Sequence, residues 1–268
     1  MQRPEDIDLL PTPVPGKSGA MSDVVKALDY FKANSDLPVA FTDCQGPLAT
    51  ILQVIGYDKF CYWVQDDPAR IHALMNKVTD ALIAWVRFQK ERAGQPMNGC
   101  NYPLSIKVPE GFGGVWMADD DSVIMGPDMY AEFVKPYNEK FLAAFGGGCI
   151  HYCGNSTQNI ANYCNTKGVT AINNFMLDDF ESASKIRRTL RDKSIVFMAC
   201  DFAPADRRLD GYFRELAKAM DGAEGLVVAS YIAPAVALDK GKYDAVDRDR
   251  DALASKVWEL MRKNLWKK

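Results

Sequence analysis

The chain has 268 residues, 48% hydrophobic and 25% charged, which is the make-up of a globular protein with room for a substantial core. A net charge of −3 and a pI near 5.5 argue against a general nucleic-acid binder, which carries a basic stripe. No 18-residue apolar run and no signal peptide is visible, so no membrane span is expected and the cytoplasm is the expected location; the seven scattered cysteines suit reduced thiols.

Residues 1–21 carry four prolines and two glycines without periodicity and read as an extended arm. Ser22 is placed to cap a helix over 23–34, with Val24, Ala27, Leu28 and Phe31 on one face. Residues 37–42 read as a buried strand, followed by Asp43, Cys44, Gln45, Gly46 and Pro47. Residues 48–55 form a short apolar helix closed by Gly56. Asp66-Asp67-Pro68 opens a long amphipathic helix to Arg92, with acid at the positive end of the dipole and Gly94 as its stop. His72, on that helix, reads as structural or solvated. Residues 113–118 read as a strand running into Asp119-Asp120-Asp121, and Gly126-Pro127 starts a helix to Phe145. Strands over 149–153, 169–173, 194–199 and 225–230 then alternate with helices over 157–165, 182–190, 212–220 and from 245 onward.

Six short apolar strands alternating with helices predict a parallel α/β fold with the helices outside. A closed (β/α)8 barrel needs eight strands, and the first sixty residues supply one. No G-x-G-x-x-G or Walker sequence follows a strand, which weakens a nucleotide-binding reading.

The most informative stretch is residues 149–155, CIHYCGN. Strand residues two apart share a face, so Cys149, His151 and Cys153 lie together. Thiolate and imidazole on one face suit zinc, and the chain has only two histidines. The other reading is a pair of buried thiols around a core histidine, because three local ligands fall short of the four of a structural zinc. In a parallel barrel the active-site groups sit at the carboxyl ends of the strands. Here those ends offer Asp43, Cys44 and Gln45; Asp119 to Asp121; His151, Cys153 and Asn155; Asn173 and Asn174; Cys200 and Asp201; Ser230 and Tyr231. No Ser-His-Asp signature or nucleophile elbow is among them.

Several segments carry a family resemblance in order: Gly46-Pro47-Leu48 with Ile55-Gly56-Tyr57; Asp66-Asp67-Pro68 and its helix; Asp119-Asp120, Gly126-Pro127 and YAEFVKPY over 130–137; His151-Tyr152-Cys153-Gly154-Asn155; Gly168-Val169; and Cys200-Asp201. Together, over roughly residues 25–235, the chain resembles the uroporphyrinogen decarboxylase family. The H-x-C-G segment is similar to that of its cobamide-dependent methyltransferase branch. The resemblance implies a single (β/α)8 barrel domain over 1–268 that lacks its first one or two strands. A partner or a second copy completes it, or it is a shortened member.

The methyltransferase branch implies zinc on His151 and Cys153. The metal lowers a thiol's pKa, and the thiolate takes a methyl group from a corrinoid protein. The late cysteine of that branch is missing, because the last strand reads VVASYIAP; Cys200, or Cys149 deeper in its strand, is the candidate in its place. By the same resemblance Asp119, Asp120 and Tyr231 are catalytic candidates, and Asp43, Gln45, Asn155 and Asn174 are substrate-binding ones. The expected function is methyl transfer between a corrinoid protein and a small thiol or folate acceptor. Two alternatives stay open. One is cofactor-free decarboxylation of a uroporphyrinogen-like tetrapyrrole anchored by Asp119 or Asp43, with Arg207 and Arg208 the nearest cations. The other is a non-catalytic subunit that docks on a corrinoid protein.

Overall fold

The computed structural model describes residues 3–101, 106–108, 110–177, 179–203, 209–231 and 243–266, with the backbone alone for residue 101 and residues 243–250. Arg207, Arg208 and the IAP of the last strand's sequence lie outside the described residues. The chain divides into two compact units, residues 1–152 with 158–170, and residues 153–157 with 171–268.

The first unit is mainly helical. It holds α1 (Met21–Asn34), α2 (Pro47–Ile55), α3 (Tyr57–Asp66), α4 (Pro68–Ala93), α5 (Pro127–Phe133), α6 (Lys135–Ala143) and α7 (Ile160–Cys164). A small antiparallel pair, β1 (Cys100–Asn101) and β2 (Lys107–Val108), precedes β3 (Val115–Ala118) and all but the last residue of β4 (Gly148–Cys153). α4 starts and stops where its sequence says. The Asp67 carboxylate accepts from the Arg70 N–H at 3.2 Å, and Gly94 takes a left-handed φ of 72°. Its core stripe includes Ile71, Leu74, Met75 and Val86. Lys90, on the same helix, is fully buried, and its ammonium donates to the Gly99 and Gly114 carbonyls at 2.7 Å each. His72 is structural: its ring stacks on Phe133 and its Nδ1 lies 2.9 Å from the Tyr137 hydroxyl.

β3 and β4 run parallel, in register from Val115 with Gly148 to Ala118 with His151. The turn before β3 requires Gly114, where a Cβ would stand 1.6 Å from the Met97 carbonyl oxygen.

Four local expectations are corrected in this unit. Residues 37–42 are not a strand: Gln89 Oε1 accepts from the Thr42 N–H and the Gln95 amide donates to the Val39 carbonyl, so side chains take the bonds a ladder would. Only Gln45, a few residues on, bridges β3, at Ala118. The helix from Gly126 breaks at Val134, because Pro136 in the first turn of α6 has no N–H to give the preceding turn. α1 begins at Met21 with Ala20 at its cap position, so Ser22 is not the cap. Within the arm, residues Pro4–Leu9 wind into a 3-10 helix, with Asp6 accepting from the Arg3 N–H and Arg70 paired to Asp8.

The second unit carries most of β5 (Val169–Phe175), then α8 (Phe180–Arg191), β6 (Val196–Phe202), α9 (Leu209–Met220), β7 (Leu226–Tyr231) and α10 (Tyr243–Leu265). β5 with β6 and β6 with β7 are parallel. Asp179 caps α8, accepting from the Ser182 N–H at 3.0 Å. Buried Arg187 donates to the Met220 and Gly225 carbonyls and so closes the turn from α9 to β7. Strands β3 to β7 follow chain order in one five-stranded sheet. β5, β6 and β7 run one to three residues past their predicted ends, which places Asn173, Asn174, Cys200 and Asp201 inside strands. No helix among the described residues is long and apolar enough to cross a membrane.

Candidate metal centre

Strand alternation brings His151 and Cys153 to one face at the end of β4. The Asp119 N–H donates to the His151 carbonyl at 2.7 Å, which ties the acidic turn after β3 to that strand. The chain then enters a 3-10 helix at Asp120–Ile124. Asp120 Oδ1 comes to 3.7 Å from His151 Nε2. Asp120, His151 and Cys153 place one donor atom each within 4.8 Å of one another, the one such cluster among the described residues. His151 is buried, Cys153 is exposed and Asp120 is partly exposed. The Trp116 ring lies 4.7 Å from the imidazole and walls it on one side.

The donor set is one nitrogen, one sulfur and one carboxylate oxygen. Zinc bonds of about 2.0–2.3 Å in a tetrahedron put ligand atoms roughly 3.3–3.8 Å apart. The Asp120–His151 spacing of 3.7 Å already meets this, and the 4.8 Å limit leaves a closure that side-chain rotation supplies. Three protein donors with one coordination position free is the pattern of a catalytic zinc.

The loop that presents Cys153 is tied down on its far side. Gly154 has φ +77° and its N–H donates to the Phe175 carbonyl at 2.9 Å. The Asn174 amide donates to the Gly154 carbonyl at 2.8 Å. Asn155 Oδ1 accepts from the Thr157 N–H at 3.0 Å, and its amide reaches Asp179 Oδ2 at 3.5 Å. These bonds of Asn155 and Asn174 hold the loop in place.

Asp119 has no exposed surface. Its Oδ2 accepts from the Tyr130 hydroxyl at 2.9 Å and from the Asn138 amide at 3.0 Å, while its Oδ1 has no hydrogen-bond partner among the described residues. Burial pushes the carboxyl up to about 6, against the pull of Tyr130 and Asn138 and aided by Asp121 and Asp120. Asp43 is exposed and accepts from the Gln45 amide at 3.2 Å. Neither joins the donor cluster.

Cys200 is not in the cluster either. It is fully buried, its sulfur accepts from the Asn173 amide at 2.9 Å, and the Tyr231 hydroxyl also bonds it. Burial pushes this thiol up to about 11 despite those two donors. Tyr231 is itself pushed up, by burial first and then by Cys200. Its ring packs on Phe175 and Phe202, which sequence reasoning had not singled out. Their signal was the aromatic residue two positions after each polar one: Asn173 and Phe175, Cys200 and Phe202.

Residues 1–98 match the family model described as uroporphyrinogen decarboxylase (URO-D), and the matched segment ends before the H-x-C-G stretch. This supports the uroporphyrinogen decarboxylase family and suggests an enzyme. No curated protein and no solved structure matches the chain.

Proposed function

We propose that the chain is a zinc-dependent methyltransferase of the uroporphyrinogen decarboxylase family with a (β/α)8-type barrel. It moves a methyl group between a corrinoid protein and a small thiol or folate acceptor. The observation that carries the reading is the N, S, O donor set of His151, Cys153 and Asp120 at the end of β4. Bound there, zinc acts as a Lewis acid that makes a thiolate available at neutral pH. Asp120 takes the place the sequence had offered to Cys200. Trp116 fixes the imidazole plane, and Asn174 with Gly154 fixes the approach of Cys153. Asp119 acts by position: its N–H holds the His151 carbonyl, and its buried carboxyl anchors Tyr130 and Asn138.

The experiment is elemental analysis of the protein purified under reducing conditions, beside His151→Ala. Near-stoichiometric zinc in the first and its loss in the second is expected, followed by demethylation of a methylated corrinoid in the presence of a thiol. Unchanged zinc in His151→Ala contradicts the assignment. The cofactor-free decarboxylase reading is favoured by one feature, the buried Oδ1 of Asp119, which has no partner among the described residues. Turnover of uroporphyrinogen by chelator-treated protein would select it.

A further inference from the structure

The N-terminal arm of the first unit is anchored on either side of a short extended stretch. On one side Ile7 is buried. On the other, Gly16 has φ +75° and lies so close to the Phe88 ring that a Cβ would stand 2.7 Å from it. Between them, Pro11 and Pro13 restrict a backbone without regular structure, so the stretch spans the helices below it without folding into them. Beneath it is a cavity of about 220 Å³. Leu10 and Pro13 of the arm, Val54 of α2, and Leu74, Leu82 and Trp85 of α4 are in its wall. Val54 is 41% exposed, so the cavity reaches the surface.

Thr50 and Lys77 also line it. The Thr50 hydroxyl is turned to its own helix and donates to the Gly46 carbonyl at 2.9 Å. The Lys77 ammonium donates to the carbonyl of Leu10, itself a wall residue. That bond uses one of its three N–H groups. The neighbouring carboxylates are engaged elsewhere, Glu5 and Asp8 with Arg70 and Asp80 with Lys140. Among the described residues no carboxylate pairs with Lys77. An apolar wall disfavours a polar ligand body, which would lose its hydration with no bond in return. The cation beside it calls for an anionic end. An apolar cavity of about 150 Å³ takes a benzene ring, so this one has room for roughly eight or nine carbons.

We propose that the cavity is a binding site for an aliphatic carboxylate of about eight carbons, its chain against Leu74, Leu82 and Trp85 and its carboxylate on the Lys77 ammonium. No residue of the metal centre lines the cavity, so the site stands or falls separately from the function proposed above.

The test is isothermal titration calorimetry of the whole protein with octanoate. Octanol serves as the chain without the charge, and acetate as the charge without the chain. Octanoate is expected to bind saturably, one per chain, with octanol weaker and acetate silent. Lys77→Met keeps the apolar stem and is expected to weaken octanoate about tenfold while octanol stays within about twofold. Because that change also removes the tie to Leu10, a second variant leaves the lysine in place. Ala81→Phe fills the cavity from its α4 wall and is expected to abolish binding of both chains, with the far-UV circular dichroism of the wild type. The inference is overturned if octanoate does not bind, if acetate binds as tightly, or if folded Ala81→Phe binds octanoate undiminished. It is also overturned if Lys77→Met binds octanoate like the wild type, or weakens octanol as much as octanoate, which would make the lysine a tie of the arm alone.

Discussion

Cys153 and Cys200 stand near the carboxyl ends of their strands, and in sequence either could be a zinc ligand. Their surroundings separate them. Cys153 is the last residue of β4, exposed, on a loop fixed by the Gly154 and Asn174 bonds, with a carboxylate and an imidazole within reach. Cys200 lies two residues inside β6, fully buried, with Asn173 and Tyr231 on its sulfur. A thiol becomes a ligand or nucleophile through access and neighbouring donors, not through strand position alone.

The largest expected effect is on thiol reactivity. Iodoacetamide at pH 8, followed by mass spectrometry of peptides, should label Cys153 at least about a hundredfold faster than Cys200, whose labelling waits on local opening. Equal rates would erase the contrast. The next effect sharpens the role of the loop. Asn174→Ala frees the Gly154 carbonyl and should weaken zinc binding about tenfold, within the range for residues that orient ligands, as read by competition with a chromophoric chelator. An unchanged affinity would show that the loop holds its shape without the amide.

The smallest effect concerns the cap below that loop. The Ser182 side chain and backbone N–H hold the Asp179 carboxyl below the usual carboxylate range. A depressed folded-state pKa stabilises above the unfolded value of about 3.9 and loses that contribution as pH falls through the folded value. Asp179→Ala should therefore cost about 1 kcal/mol at pH 7 in urea unfolding, and the difference should start to shrink as pH falls below about 4. A difference that is constant down to pH 3 would assign the effect to packing.

Much of this was legible in the sequence because it depends on short-range rules. The cap at Asp67, the stop at Gly94 and the face shared by His151 and Cys153 follow from backbone geometry and spacing. Two kinds of feature were not legible. Residues 37–42 look like a strand, but Gln89 and Gln95, some fifty residues away in sequence, satisfy their backbone groups. The strand ends were placed one to three residues early, because Asn173 and Cys200 looked like polar exits. That error hid Phe175 and Phe202. It also put Cys200 among the expected ligands, whereas the donor cluster of the structure holds Asp120 and not Cys200.

The central claim, that the ligand set is His151, Cys153 and Asp120 with a single thiolate, is tested most directly by cobalt(II) substitution. The near-ultraviolet sulfur-to-cobalt charge-transfer band should have the intensity of one thiolate. It should vanish in Cys153→Ser and persist unchanged in Cys200→Ser. A band of two-thiolate intensity, or one that Cys200→Ser removes, would contradict the account.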